Sequence, residues 1–546
     1  FQWDRRHASS TSGPISPLQE FIPMVLQVAY TLASKILPSE RYVHVGVSIL
    51  GLVITYAFAQ GRTTDRERDL HARTIIVTGA FTPLGLTLVS NLASRGAHII
   101  AISPYPLSHP QPSLLIPALR TATNNPNIYA DYADLSSPAS IRDFCTRFLT
   151  GDDQRLDALL FAHEYQGIGS LFSSKQSHEE KREVGSLATF LMATLLLPAL
   201  LVAPVERDIR IVNVVDPFYA AATPSFTSHL LASMTSSSSA SSTHRSVFLH
   251  EGYRALRSIV FTRHLQRILN ALPNRAPTLD PSLPGKDDTR PPQAAASTEA
   301  SATTANPFPS NIIAISVCPG ISRSQTISNL FGAEREGDPE GWSRFGTVLY
   351  FLFFPIIWLF SKGSNMAMQS ILHVLFLPTP FKRALAQASA AVNPPSSEPS
   401  EKPEPSANAS GKRTRVEDMF TEVLKPGALY RECSVATISV APLPEPPKQA
   451  QDAEQKAKAD KKAGGGKKDK KVEEDLVIED DGEYGGEAIG RVVWEWYELH
   501  LKTWEKAEKD KEEAEKDKEQ VNKSKEHVAE EQEHRDKTDR SKPKSD

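Results

Sequence analysis

The sequence predicts an α/β protein, a doubly wound parallel sheet with an N-terminal transmembrane helix, disordered insertions and a charged helical C-terminal tail. Three features carry the prediction. Residues 74–103, TIIVTGAFTPLGLTLVSNLASRGAHIIAIS, order an apolar strand, a glycine-bearing turn, an amphipathic helix and a second apolar strand; residues 42–61 carry no Asp, Glu, Lys or Arg; and the last part of the chain is dominated by Lys, Glu and Asp. The first pattern is that of a phosphate-binding crossover between parallel strands.

Residues 1–41 form an N-terminal amphipathic segment in which PMVLQVAYTLASKILP reads as an amphipathic or second membrane-associated helix. The sequence begins with Phe, so an upstream targeting signal is part of the expectation. YVHVGVSILGLVITYAFAQG, residues 42–61, is long enough to cross a bilayer at about 1.5 Å per residue. Arg62, Arg66, Arg68 and Arg73 follow it, against Lys35 and Arg41 before it, and this bias puts the large domain on the cytosolic side of an intracellular membrane. A buried core helix would have the same composition, but no further domain is in view to bury it.

Within TGAFTPLG, Thr78-Gly79 closes the first strand, Thr82 is a good N-cap and Pro83 a good first helical residue. Leu84, Leu88, Val89 and Leu92 then line one helix face until Arg95-Gly96 ends it. Phosphate-binding turns use one glycine for the bend, another for close approach of backbone to pyrophosphate and a third for helix–strand packing. Gly79 and Gly85 supply two of these. Pro83 stands where TGxxxGxG wants the middle glycine, removing an N–H and fixing φ. The helix forms in either case; the turn suits a bound nucleotide and equally a fold that has lost one.

After this turn come YADLSS, LDALLFAHE, TLLLPAL, RIVNVVD, IVFTRHLQRIL, SVCPGISRS and GALYRECSV. In this order, over residues 72 to about 435, they resemble the short-chain dehydrogenase/reductases, nearest the membrane-bound branch that includes retinol dehydrogenases. The resemblance implies a Rossmann-like domain over 72–440 with strands at Thr74–Val77, Ala97–Ile102, Leu156–Phe161, Ile209–Val214 and Ile312–Val317. It also implies an NAD or NADP site at Thr78, Gly79 and Gly85, with Asp134 beside the adenine and Pro319, Gly320 and Ser324 on the nicotinamide side. Ser324 reads equally as a helix cap. Ser103-Pro104, at the end of the second strand, offers neither an acid for an NAD ribose nor an arginine for the phosphate of NADP.

Family chemistry moves a hydride between nicotinamide and a carbonyl or alcohol carbon, with a tyrosine exchanging the oxygen's proton, a lysine, a serine and an asparagine assisting. Here the serine position holds Asp216, the asparagine position Gly185, and the loop that reads Asn-Ala-Gly in the family reads Phe161-Ala162-His163. Tyr253 and Arg257 have the tyrosine–lysine spacing, with arginine in an exchange that is not conservative. A second alignment, anchored on IVFTRHL, moves the pair to Glu251 and Ala255. Two functions follow: a catalytically degenerate, membrane-tethered protein that senses nucleotide or acts as a scaffold, and an active NAD(P)H-dependent oxidoreductase on a lipid-like carbonyl or alcohol, with Tyr253 and Arg257 as catalytic pair. The expected compartment is the endoplasmic reticulum or lipid droplets, with the mitochondrial outer membrane as alternative.

Residues 345–361, FGTVLYFLFFPIIWLFS, lie between segments of one sheet and so are not expected to cross a bilayer. They read as an interfacial lid, broken at Pro355, at the mouth of a cleft for a lipid-like ligand, or as a lid packed on the domain. Low-complexity tracts at 232–246, 274–310 and 393–412 read as disordered insertions, and 441–487 as a disordered linker. A terminal helix over 488–505 sets Trp494, Tyr497, Leu501 and Trp504 on one face, to pack on the domain or on a partner protein. Beyond it, 506–546 is a charged tail in which Glu505/Lys509 and Glu512/Lys516 support a polar helix. Lys and Arg number 61 against 65 Asp and Glu, a net charge of −4 that does not attract nucleic acid. Cys145, Cys318 and Cys433 fit a reducing compartment, and neither they nor the scattered histidines have metal-ligand spacing.

Overall fold

A computed structural model describes residues 42–151, 155–166, 168–172, 176–204, 207–235, 246–272, 310–333, 342–385, 422–443, 478–511 and 513. The N-terminal segment 1–41, nearly all of the three predicted insertions, most of the predicted linker and the tail after 513 lie outside the described residues. The chain divides at Gln60 into two units. The first contributes α1, Tyr42–Gln60, whose side chains are almost wholly exposed over Val43–Gln60.

The second unit holds the sheet. Strands β1 (Thr74–Thr78), β2 (His98–Ser103), β3 (Ile128–Tyr132), β4 (Ala158–Phe161), β5 (Ile209–Val214), β6 (Ile312–Cys318), β7 (Leu429–Arg431) and β8 (Ser434–Ala436) lie in the order β3-β2-β1-β4-β5-β6-β7-β8. All neighbouring pairs are parallel except β7 and β8, which form an antiparallel edge hairpin. The reversal of direction between β1 and β4 makes this the doubly wound topology that the sequence predicts. β1, β4, β5 and β6 are buried along their whole length, as central parallel strands covered on both faces must be.

Helices α2 (Pro83–Ala93) and α7 (Ser364–Phe376) cover one face through Leu84, Leu88, Leu92, Ile371, Leu372 and Leu375. On the other face lie α3 (Pro138–Thr150), α4 (Gln176–Val202), α5 (Val247–Ala271) and α8 (residues 486–511). In α4 the stretch Arg182–Val202 is apolar enough to cross a membrane, yet 56% of it is buried within the domain, which marks a core helix. Another long helix, α6 (Arg344–Phe360), continues through Pro355 instead of breaking there, because a proline removes one N–H from the ladder without forcing the helix to end.

α8 extends the predicted 488–505 helix at both ends, so the first residues of the predicted tail are still helical. Ile489, Val493, Trp496 and Tyr497 form its buried seam, while Trp494, Leu501 and Trp504 pack at the margin. The Tyr497 ring stacks on Phe190 with centroids 5.1 Å apart, and its hydroxyl lies 2.6 Å from Ser186 Oγ. The predicted linker 441–487 is also corrected at its ends. Ala441 O accepts from Thr227 Oγ1 at 2.6 Å, Asp481 pairs with Arg263 and Arg267 of α5, and Tyr484 is buried. Its acidic residues looked solvated in sequence because their arginine partners are more than two hundred positions away. Similarly, the start of the predicted 232–246 insertion belongs to the helix Phe226–Thr235.

At the opposite rim from the strand C-termini, Asp208 collects Arg68 and Arg210, each at 2.8 Å, and Lys382 at 3.5 Å. Arg210 also donates to Val374 O and Leu377 O at 2.6 and 2.7 Å, fastening the end of α7. Burial opposes ionisation of Asp208, but Arg210 and Arg68 outweigh it and hold the carboxyl well below the usual range. Asp208→Asn leaves these guanidinium groups without their carboxylate, a change expected to cost roughly 3–5 kcal/mol in urea denaturation. The unfolded value is about 3.9, so the contribution is complete above that pH and is lost as pH falls through the lower folded value. Stability measured against pH should therefore fall less steeply on the acid side in the variant.

Candidate active site and nucleotide turn

Gly79 has φ +67°, and a Cβ there would stand 2.9 Å from His163 N. A Cβ at Gly85 would stand 2.0 Å from Gly79 O, so α2 packs on the turn at a distance that only glycine permits. Thr82 Oγ1 accepts from Gly85 N at 3.0 Å and caps the helix that Pro83 begins. The turn thus keeps its bend and its close packing, which are backbone properties fitted to a pyrophosphate at the N-terminus of α2, with one N–H fewer at Pro83.

His163 follows β4 and is wedged between the turn and α4. Its Nδ1 lies 2.8 Å from Thr78 Oγ1 and its Nε2 2.9 Å from Gly185 O. Burial lowers its pKa, so the ring is neutral, donating from Nε2 and accepting at Nδ1. A Cβ at Gly185 would lie 3.7 Å from the imidazole, so the two departures from the family pattern are complementary. The ring takes room that a larger side chain at 185 would need.

On the adenine side, Asp134 Oδ1 accepts from Ser136 N at 2.8 Å and Ser136 Oγ at 2.7 Å, an Asx turn leading into α3. Ser103 is buried and bonds Tyr105 through both its hydroxyl and the Tyr105 N–H. On the nicotinamide side, Gly320 has φ +94° and its carbonyl accepts from Tyr165 Oη at 2.7 Å. Pro319 O accepts from Lys362 Nζ at 3.3 Å, and Ser324 Oγ lies 3.1 Å from Ser364 Oγ. Ser324 sits inside the π-turn Arg323–Ile327, whose cap is Ser322, so it is not the cap.

The proton-transfer centre holds an ion cluster. Asp216, two residues beyond β5, accepts from Phe218 N at 2.9 Å and lies 3.6 Å from Arg254. Arg254 is 2% exposed and pairs with Glu251 at 2.7 Å; Glu251 is wholly buried, pairs with Arg182 at 2.6 Å and accepts from Gly169 N at 2.9 Å. Arg254 also donates to Glu164 O at 3.2 Å. Burial, reinforced by the Glu251 carboxylate, pushes the Asp216 carboxyl up to about 7 against the pull of Arg254.

Tyr253 and Arg257, the pair expected from sequence, stand apart from this cluster. Tyr253 Oη lies 2.7 Å from Ser225 Oγ and its ring stacks on His229 at 3.9 Å. Arg257 pairs with Glu183 and lies 4.0 Å over the Trp496 ring, and although burial opposes ionisation of Glu183, Arg257 lowers it to about 2. The face of α5 turned to the strand ends bears Glu251, Arg254 and Ser258, the last bonded to Asn213 of β5. Two residues of helix are about 200° of rotation, so the competing alignments differ by opposite faces. Glu251, rather than Tyr253, therefore lies on the face of α5 turned to the strand ends. Arg182, Glu164 and Arg254 escaped the sequence reading; only the i, i+3 pair Glu251 and Arg254 in a mainly apolar helix hinted at them.

No family model matches the sequence. Among curated proteins, the chain is 27% identical over 201 residues to the uncharacterized oxidoreductase pbr1 of Schizosaccharomyces pombe, covering 35% of this chain and 52% of that protein. It is 32% identical over 132 residues to human dehydrogenase/reductase SDR family member 13, covering 24% and 33%. It is 27% identical over 167 residues to mouse retinol dehydrogenase 13, covering 31% and 48%. The chain thus spans about half, or less, of the length of these relatives. A solved short chain dehydrogenase from Salmonella enterica is 14% identical, with 55% of this chain and 94% of that one covered at a TM-score of 0.33. The strand order, rather than this last likeness, carries the fold. The strand order, the ordered motifs and the curated relatives are together what the chain shares with the short-chain dehydrogenase/reductases.

Proposed function

We propose that the chain is a membrane-tethered member of its family in which nucleotide recognition outlasts proton transfer, so that it works as a nucleotide-responsive scaffold rather than by turnover. The observation that carries this reading is the buried Glu251, locked by Arg182 and Arg254 at 2.6 and 2.7 Å; in the alignment anchored on IVFTRHL it takes the tyrosine's place and Ala255 the lysine's. A carboxylate so paired neither donates a proton to a carbonyl oxygen nor tolerates a developing alkoxide nearby. The apolar helix α1 supplies the tether, and the arginines after it favour a cytosolic domain on an intracellular membrane.

In such a protein the turn at Thr78, Gly79 and Gly85 would hold the pyrophosphate of NAD or NADP, with Asp134 at the adenine end and Pro319, Gly320 and Ser324 at the other. The dinucleotide would supply hydride chemistry when bound. What this chain's residues do is bind and orient it. The second reading, an active oxidoreductase on a lipid-like carbonyl or alcohol, draws support from the names of the relatives, one of them a retinol dehydrogenase.

Nucleotide titration of the full chain in detergent, followed by turnover with lipid ketones, separates the two. Binding without NAD(P)H oxidation is expected. Removal of a working general acid costs roughly 10²–10⁴-fold in rate, so Tyr253→Phe should leave any residual turnover unchanged, whereas Gly79→Asp should weaken nucleotide binding in protein whose circular dichroism is unaltered. Oxidation abolished by Tyr253→Phe would overturn the proposal.

Asp216 gives a prediction in pH. Its folded carboxyl is raised to about 7, above an unfolded value of about 3.9. The folded state then holds a proton that the unfolded chain releases, and stability falls as pH rises between the two values. Asp216→Asn should flatten that fall in thermal melts recorded from pH 4 to about 7.

A further inference from the structure

Helix α6 presents a face that the domain leaves uncovered. Phe345, Val348, Phe351, Leu352, Ile356 and Phe360 are each 55–69% exposed, and no charged residue interrupts 345–360. Scattered apolar side chains on a surface need no explanation, but a contiguous apolar helix does. The helix is fixed at both ends. At its start Gly346 packs so tightly that a Cβ would stand 1.8 Å from Phe331 O, and Ser343 N donates to Gly332 O at 3.0 Å. At its end Lys362 bridges to Ser322, with Arg323 N donating to Lys362 O and Lys362 N to Ile321 O, both at 3.0 Å. A helix so tied cannot cross a bilayer; it can only lie along one.

A second set of contacts says which side of the domain this is. The chain enters the domain at Gly61 and Arg62, and both meet Glu432. A Cβ at Gly61 would stand 1.9 Å from Glu432 Oε2, and Arg62 N donates to that oxygen at 3.3 Å. The other carboxylate oxygen pairs with Lys362, two residues past the end of α6. Glu432 and Cys433 form the β7–β8 turn with φ of +53° and +57°, a left-handed pair that usually takes Asn-Gly. One carboxylate in a strained turn therefore joins the entry of the chain to the end of the apolar helix.

We propose that α6 is a lipid-contacting surface lying in the leaflet interface, with Glu432 a positioning residue that holds it on the side where the chain leaves the bilayer. The inference rests on the reading of α1 as a tether. Its chemistry fits a lipid surface: a helix uncharged from 345 to 360, with Arg344 at its start and Lys362 just past its end, and Trp358 beneath the Arg323 guanidinium at 5.8 Å. Tyr350 Oη donates to Arg323 O at 3.3 Å, which sets the same helix against the π-turn carrying Ser324.

The test uses the full chain reconstituted in phosphatidylcholine/phosphatidylserine vesicles containing a phospholipid with a diazirine acyl chain. After photolysis, mass spectrometry reads the lipid-modified peptides. Modification is expected in 345–360 as well as in 43–60, and not at exposed Leu114 or Val202 on other surfaces of the domain. Phe351→Glu with Leu352→Glu, at positions the core does not use, should reduce modification of 345–360 to background and leave 43–60 labelled. Glu432→Gln should lower the first signal without changing the second. Labelling of 43–60 alone, equal labelling at Leu114 and Val202, or a protein crosslink replacing lipid on 345–360 overturns the inference while keeping the tether. Labelling of neither helix overturns the tether itself.

Discussion

A single buried guanidinium organises the mouth of the sheet. Arg254 contacts Glu251 on its own helix, Asp216 after β5 and the carbonyl of Glu164 after β4. Burying such a charge costs several kcal/mol unless it is paired and hydrogen-bonded. The position of α5 against two strand ends is therefore coupled to the state of Glu251 and Asp216. Family members leave this space to a substrate oxygen and the groups that pass its proton. Here Glu251 is held between Arg182 and Arg254, and burial pushes the neighbouring Asp216 carboxyl up to about 7.

His163 makes the same exchange one strand away. Where the family runs bare backbone past the cofactor, an imidazole links Thr78 of the nucleotide turn to Gly185 of α4. Gly185, without a side chain, leaves the embedded ring its room, since even a Cβ there would already touch it at 3.7 Å. Together they join the turn to the helix layer, and α4 in turn reaches Glu251 through Arg182.

The fold was legible because parallel strands buried on both faces write themselves as apolar runs, and because Thr82, Pro83 and Gly96 mark the ends of α2 by local chemistry. The site was legible only in part. Two alignments of α5 preserve the same i, i+4 spacing, and sequence has no means of choosing the helix face until Ser258 is seen against Asn213. Arg263 and Arg267 find Asp481 across a long stretch of chain, so residues that looked like solvated linker became an ion-paired support for α8. Glu432 is the plainest case. Nothing local marks it, since its meaning lies in Arg62 and Lys362, which three-dimensional closure brings to it.

The two halves of the cleft differ in what mutation can remove. The pyrophosphate end depends on backbone, on the positive φ of Gly79 and the missing Cβ of Gly85, and it survives as long as the fold does. The reacting end depends on side chains, each of which is lost by a single substitution. A chain released from selection for turnover would be expected to lose the second before the first. The ion pairs at this end carry their own constraint, since taking away Glu251 would strand Arg182 and Arg254 in the interior. A tyrosine placed at 251 alone would therefore destabilise the domain; the arginines would have to leave with the carboxylate.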